Sequence, residues 1–545
     1  MTTIYSAKKI ITMNPTRPTV SHVAVRDGRI VGAGSLTELA GFGDYTLDER
    51  FTDKVLMPGL VEGHCHTVEG KWWRYVYCGF HDRMDPHGKV WSGLASIDQV
   101  IERLMEQEVT LVDPAEPLTG WAIDPIYYSD RKITRQQLDR VSTTRPIGIM
   151  HASGHIMSVN SKALEMADYL RTGIEHEGVP LGDDGLPTGE LKGPDVMRPV
   201  GQKAGFSDNM LEFDEPGLID FARLCVRAGV TTATDLAAEL SEATVDMGIR
   251  VTYADNFPVR IMSLRFHHGV TPNELIEHVK ILREQSTDRF RLGKIKVVAD
   301  GSIQGFSARM NWPGYFNGAP NGLWYIAPEQ MLAIYEMALE FDIQVHTHTN
   351  GDEATDLVLE TLEAALKKHP TNHHRFTIQH GQLINGAQYR RLAKLNMCVN
   401  HFANHHFYWG DEHYNLTVGP ERAERMNACR TALDNGVPLA IHSDAPITPL
   451  SPLFTAWCAV NRITSSGRVQ GEHEKITVDE ALYAITLGAA YTLDLDREIG
   501  SIEAGKHADF AVLEDDPTAV AADKLKDVSV WGTVQAGRVF SASDI

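Results

Sequence analysis

Cysteine is scarce. Six occur in 545 residues, at Cys65, Cys78, Cys225, Cys398, Cys429 and Cys458, and no two form a Cys-x-x-Cys pair. Scattered thiols among apolar neighbours build no disulfide scaffold, and buried free thiols in a reducing cytoplasm are expected. Positive charge is in deficit too: 51 Lys and Arg against 72 Asp and Glu leave a formal charge of -21, with no long basic block. That balance argues against a polyanionic partner such as nucleic acid and leaves small neutral or cationic ligands open. No uninterrupted apolar run reaches membrane-spanning length, and the opening "MTTIYSAKKIITMNPTRP" has no apolar stretch followed by a small-residue cleavage site. Neither a membrane protein nor a secreted one is expected. No glycine-rich phosphate loop follows any of the apolar runs described below, which argues against an open doubly wound sheet.

What is present is ample apolar material, 43% of the residues. It suffices for one large domain with an appendage, or for two to four ordinary domains. Residues Ile4 to Thr52 read as short strands, with a hairpin turn at Asp27-Gly28. The stretches "ADFAVLEDD" and "VSVWGTVQAGRVF" read the same way, with a turn at Ala536-Gly537. Strands at both termini are expected to pair in one small sheet domain. Between them, eight apolar runs alternate with helical stretches: "VLMPGLVEGH", "GVTTATDL", "VRIMSLRF", "GKIKVVAD", "DIQVHTH", "RFTIQHG", "NMCVNHF" and "VPLAIHSD". The intervening "TPNELIEHVKILREQ" opens with Thr271, Pro272 and Glu274, a capping box, and "PERAERMNACRTALDNG" reads as a helix stopping at Gly436. Eight such units predict an α/β fold, a (β/α)8 TIM barrel over residues 58–496, with the terminal sheet domain built from residues 1–57 and 497–545. Residues from about 71 to 220 interrupt the repeat as a large insertion after the first strand. The insertion reads either as a lid or pocket wall over the barrel's C-terminal face or as a separate packing subdomain. Its aromatics Trp72, Trp73, Tyr75 and Tyr77 are candidates for a substrate wall or for core.

The chemistry concentrates at strand ends. His64 and His66 stand one residue apart in "MPGLVEGHCHTVEG", so on a strand both point to one face, where two neutral imidazoles can grip a divalent ion. "DIQVHTHTNGD" places His346 and His348 on one face, "RFTIQHG" ends in His380, and "LAIHSDAP" carries Asp444 after His442. Lys296 lies in an apolar run, where a charged amine is costly unless paired, modified or deprotonated. Carboxylation would turn it into a carbamate anion able to bridge two metals. Imidazoles with oxygen ligands suit Zn²⁺ best, with Mn²⁺, Fe²⁺ or Co²⁺ as alternatives. Such a site generates hydroxide near neutral pH, and Asp444 can both ligate and carry the proton.

The motifs "MPGLVEGHCH", "KVVADGS", "HTNGDEA", "IQHGQL", "AIHSDAPITPLSPL" and "EIGSIEAGKHADFAVL" span nearly the whole chain. In that order the sequence resembles the amidohydrolase superfamily, within it the amidohydrolase 3 group that includes N-substituted formamide deformylases, and its last motif implies that the terminal sheet domain is the family's small β-sandwich. The resemblance implies metal ligands at His64, His66, Lys296, His348, His380 and Asp444, with Lys296 carboxylated and Asp444 shuttling protons. It also implies that His155, in "ASGHIMSVNSKAL", faces the substrate and orients the scissile carbonyl, and that the protein is a homodimer. Two positions depart from the pattern. Glu62 precedes Gly63 where the family usually has aspartate, and Gly193 stands where a glutamate usually ends the motif of "GLPTGELKGP". The His-rich "VNHFANHHFYWGDEHY" offers His401, His405 and His406, of which one, taken as His401, is expected to contact substrate.

The expected protein is a cytoplasmic, metal-dependent amidohydrolase acting on a small aromatic or apolar substrate at an amide-type C–N bond. Trp72, His155 and His401 would contact the substrate. Ester or lactone hydrolysis and deamination are alternatives on the same metal site. A non-catalytic scaffold is a further one, but it predicts missing ligands, and all six positions are filled.

Overall fold

Pro58 and Gly59 separate two strands that serve different layers. Tyr45–Pro58 ends at the proline, and Leu60–Glu62 (β1) starts one residue later. Proline has no N–H to continue a ladder. A side chain at Gly59 would run into Thr231, whose Oγ1 would lie 1.9 Å from the added Cβ. The single run "VLMPGLVEGH" is therefore two strands, and the first of them belongs to the terminal sheet. The computed structural model describes residues 1–128, 132–154, 156–206 and 212–545. It divides into two compact units, Met1–Thr67 with Ala222–Ile545, and Val68–Phe221.

In the first unit, the two ends of the chain meet in a seven-stranded sheet. Its order is Arg538–Ser541, Val530–Gln535, Phe510–Leu513, Tyr45–Pro58, Thr2–Ile11, Thr19–Arg26 and Arg29–Gly34. Only the Thr2–Ile11 and Tyr45–Pro58 pair is parallel. Both expected hairpin turns form: Asp27 and Gly28 have φ of 51° and 74°, and Ala536 and Gly537 have 49° and 78°. Two successive positive φ values are what a tight hairpin needs to match the strands' twist. Phe51, Leu56, Phe510 and Val512 pack into its core.

The same unit holds a curled parallel sheet. After β1 come Val230–Ala238 (β2), Arg260–Phe266 (β3), Ile295–Val298 (β4), Val345–Thr349 (β5), Thr377–His380 (β6), Cys398–His401 (β7) and Leu439–Ile441 (β8). Each pairs in parallel with the next in chain order. The fold is thus mixed α/β, and all eight runs read from the sequence are strands. Because they are parallel, their carboxyl ends share one edge, the edge where sites form on such sheets. Helix Pro272–Gln285 carries the expected capping box of Thr271 and Glu274. The helix read over 420–435 is instead two, Pro420–Ala423 and Cys429–Asp434. The buried Arg462 guanidinium accounts for the break: it binds the Met426 and Asn427 carbonyls at 2.8 and 3.1 Å, taking them from the helical ladder.

The second unit has a five-stranded sheet ordered Glu190–Lys192, Ile156–Val159, Ile147–His151, Leu118–Ile123 and Val76–Tyr77. Trp121 is the hub of its core. The rings of Trp72, Trp73 and Tyr77 lie 5.7, 5.2 and 5.4 Å from it, and the Arg83 guanidinium lies 4.9 Å above it. Arg83 in turn pairs with the buried Glu69 at 2.5 Å. All six cysteines are buried, and none is joined in a disulfide.

Candidate metal centre

The ends of β1 and β8 are tied together before any ligand is considered. Asp444 N–H donates to the His64 carbonyl (3.1 Å), and His66 N–H to that of Ala445 (2.7 Å). The Glu62 carboxyl accepts from the Ser443 amide at 3.1 Å and its hydroxyl at 2.9 Å. Burial pushes the Glu62 pKa up to about 8, against the lowering effect of those hydrogen bonds. The residue marked in the sequence as a departure is thus a clamp between the first and last strands.

Five of the expected ligands converge there. His64 Nε2 and His66 Nε2 lie 3.4 and 3.3 Å from Asp444 Oδ1. Lys296 Nζ, from β4, lies 3.4 Å from His64 Nε2. His380 Nδ1, at the end of β6, lies 3.9 Å from Asp444 Oδ2. His380 and Asp444 both have left-handed backbones, with φ of 69° and 55°. Such conformations cost about 1–3 kcal/mol each in residues other than glycine and cluster at functional sites. Here they turn the side chains at two strand ends toward His64.

The electrostatics favour neutral nitrogen donors. Burial, before any neighbouring charge, holds the His64, His380 and His442 pKa values well below the ordinary imidazole value. Burial also lowers that of Lys296 to about 7, while Asp444 beside it pulls the other way. The His64 tautomer is set from outside. Gln379 Oε1 contacts His64 Nδ1 at 2.8 Å and also accepts from Asn400 Nδ2 at 3.0 Å. Gln379 Nε2 donates to His346 Nδ1 at 2.8 Å. With that oxygen as acceptor, His64 carries its proton on Nδ1 and keeps the Nε2 lone pair for the site.

The donor set fits a divalent cation. Asp444 Oδ1 is buried and has no hydrogen-bond partner, yet two imidazole nitrogens face it. Zinc bonds of 2.0–2.1 Å in a tetrahedron place neighbouring ligand atoms about 3.3–3.4 Å apart. The His64 and His66 distances to Asp444 are of that length. His64, His66 and Asp444 offer ligand atoms within 4.8 Å of one another, as do His64, His380 and His442. A third group of that kind, Asp288, Glu498 and His507, lies among Arg260 and Arg291 and forms an ion-pair network.

The other expected residues lie as follows. His348 packs edge-on to His380 at 4.4 Å, and its Nε2 contacts Asn350 Nδ2 at 3.0 Å. The buried Asp300 accepts the amides of Arg309, Asn350 and Gly351, each at 2.9 Å, and so fixes the loop behind His348. Burial raises its carboxyl pKa to about 7. His401 has both nitrogens engaged, with the His380 carbonyl and Tyr389 Oη, each at 2.8 Å. His405 contacts His413 at 3.0 Å, and His406 contacts Gln470 at 3.1 Å. Trp72 is 4% exposed within the core of the second unit. His155 lies outside the described residues. Gln379, Asn400, Asp300 and His442 are the additions that motif reading passed over. His442 had a legible signal, since it stands two residues before Asp444 as His64 stands two before His66.

A model of the amidohydrolase family matches residues 52–540. The Bacillus subtilis protein YtcJ is 26% identical, covering 99% of each chain. An N-substituted formamide deformylase of Arthrobacter pascens is 25% identical over 94% of each chain. Among solved structures, an uncharacterized metal-dependent hydrolase from Pyrococcus horikoshii OT3 superposes with a TM-score of 0.73 at 18% identity, covering 96% of this chain and 99% of that one.

Proposed function

This chain belongs to the amidohydrolase family, and from that premise we propose that it hydrolyses an amide-type C–N bond in a small aromatic or apolar substrate. The observation that carries this is the convergence of His64, His66 and His380 on Asp444, whose buried Oδ1 has no hydrogen-bond partner, with Lys296 against His64. The frame is taken as a (β/α)8 barrel over residues 58–496 and a terminal β-sandwich of 1–57 and 497–545, with the insertion after β1.

His64, His66, Lys296, His348, His380 and Asp444 would hold the cation, zinc by preference or Mn, Fe or Co, which when bound supplies Lewis acidity and a usable nucleophile near neutral pH. The chain's own residues do the rest. With a pKa near 7, Lys296 is partly neutral at physiological pH. Its amine can add to carbon dioxide, forming the N–C bond and releasing one proton, to give a carbamate that carries negative charge among the imidazoles. Asp444 accepts a proton from the attacking water and returns it to the leaving nitrogen. His155 is assigned to orient the substrate carbonyl. Trp72 and His401 complete the assignment as substrate-contacting residues.

The protein is assigned to the cytoplasm as a homodimer acting on small molecules. No helix among the described residues is long and apolar enough to cross a membrane. The test is turnover by zinc- or manganese-loaded protein across N-acyl arylamines, lactones and aminopurines. Hydrolysis of the N-acyl arylamines is expected. Activity confined to the lactones or aminopurines would replace the proposed bond, and a metal-loaded protein that turns over none of them would return the chain to the scaffold alternative.

A further inference from the structure

Which imidazole stands beside His380 as its partner ligand? The family pattern gives His348, whose ring lies 4.4 Å from that of His380, and the atoms add a second imidazole. His442 Nε2 lies 3.1 Å from His380 Nδ1. His442 is fully buried, stacks on His64 with ring centroids 4.7 Å apart at 17°, and offers a nitrogen within 4.8 Å of those of His64 and His380. His348 Nε2 is engaged with Asn350.

His401 and His374 are anchored at both ring nitrogens, whereas His151, His346 and His406 are buried with one ring nitrogen unpartnered and the other held by Ser158, Gln379 and Gln470. His401 is held by the His380 carbonyl and Tyr389, and His374 by the Leu395 carbonyl and the Phe376 amide. His442 differs from all of these in what holds its other nitrogen. Its Nδ1 is buried without a hydrogen-bond partner, so its only polar anchor is another imidazole nitrogen inside the site. An unpartnered buried polar atom is costly, and two imidazoles meeting nitrogen to nitrogen make one weakly directed hydrogen bond between them. A shared cation gives both nitrogens a better partner, and their separation is close to the edge of a zinc tetrahedron, about 3.3–3.4 Å.

We propose that His442 is a metal ligand, paired with His380 at a second position beside the one formed by His64, His66 and Asp444. This rests on the metal-dependent reading above and extends it to a residue the family pattern leaves unassigned. The left-handed turn at Asp444, φ 55°, is what lets positions 442 and 444 both face His64.

The test uses full-length protein loaded with Co²⁺, reading bound cobalt by elemental analysis and the ligand field by visible absorption. His442→Gln keeps a group able to hydrogen-bond His380 but is a poor ligand. Loss of an outer hydrogen-bond partner lowers metal affinity by roughly 10–100-fold. His442→Gln is expected to exceed that loss at one position, to release part of the cobalt that wild type retains, and to shift the visible bands. His442→Cys is expected to keep cobalt and to gain a near-ultraviolet thiolate-to-cobalt band, which a positioning role cannot produce. Wild-type cobalt content and spectrum in His442→Gln, or no thiolate band in a cobalt-bearing His442→Cys, overturns this inference alone. A wild type that takes up no cobalt overturns the metal reading together with it. Apo variants that melt with apo wild type show that the fold is not the cause.

Discussion

Glu62 holds Ser443 at both its amide and its hydroxyl, so the carboxyl two residues before His64 also fixes the loop that carries Asp444. Glu62→Ala leaves both Ser443 groups without that partner, at about 1–3 kcal/mol for a buried group left unsatisfied. Glu62→Gln retains an acceptor and should destabilise less. Urea unfolding measures both variants, and an alanine variant as stable as wild type would show that Ser443 is held by other means.

Asp444→Asn keeps the side-chain shape and removes the proton acceptor. Loss of a general acid–base group lowers the rate by on the order of 10²–10⁴-fold. The expected result is a kcat reduced by at least that much with little change in melting temperature. A kcat near wild type would remove Asp444 from the proton path.

Lys296 tests the carbamate. Wild-type apoprotein should take up less metal in buffer stripped of carbon dioxide and recover on adding bicarbonate. Lys296→Ala should bind less metal in both buffers and show no bicarbonate response. Uptake by wild type that ignores bicarbonate would mean that the amine acts unmodified.

Gln379→Leu removes the acceptor that fixes the proton on His64 Nδ1. Outer-partner losses of this kind weaken metal binding by roughly 10–100-fold. Competition with a chelator reads the change directly. Unaltered affinity would show that Asn400 and the surrounding packing suffice to orient the ring.

His507 gives a pH dependence remote from the metal ligands. Burial pulls its pKa down, but Asp288 at 3.1 Å and Glu498 at 3.5 Å outweigh burial and leave it raised above 6.5. A raised folded pKa contributes stability that is complete below the unfolded value and is lost as pH rises through the folded one. Wild type should therefore exceed His507→Gln by most at about pH 6, below the ordinary histidine value. The gap should narrow as pH climbs past the raised pKa. Urea midpoints across that range are the measurement, and a gap that widens with pH would reverse the assignment.

Much of this was legible in the chain. The eight apolar runs are all strands because alternation and β-branched residues report burial on a pleated surface directly. His64, His66, Lys296, His380 and Asp444 were legible because each ends or interrupts an apolar run, where a polar side chain needs a reason. What the sequence hid depends on tertiary contact. Nothing local says that Pro58 and Gly59 divide two layers, since the steric reason is Thr231 on another strand. Arg462 breaks a periodic helical pattern from outside it. Gln379 and Asn400 look like ordinary strand polars until His64 is placed beside them. His346 and His348 alternate correctly for one face, yet His346 is held by Gln379 and His348 contacts Asn350.

The strand that delivers His64 follows Tyr45–Pro58, and Pro58 is paired with Phe510 in the terminal sheet. On the ribosome, His64 and His66 are therefore made long before the strand that braces their approach. A nascent polypeptide short of residue 510 lacks the partner that Phe510 supplies to Pro58.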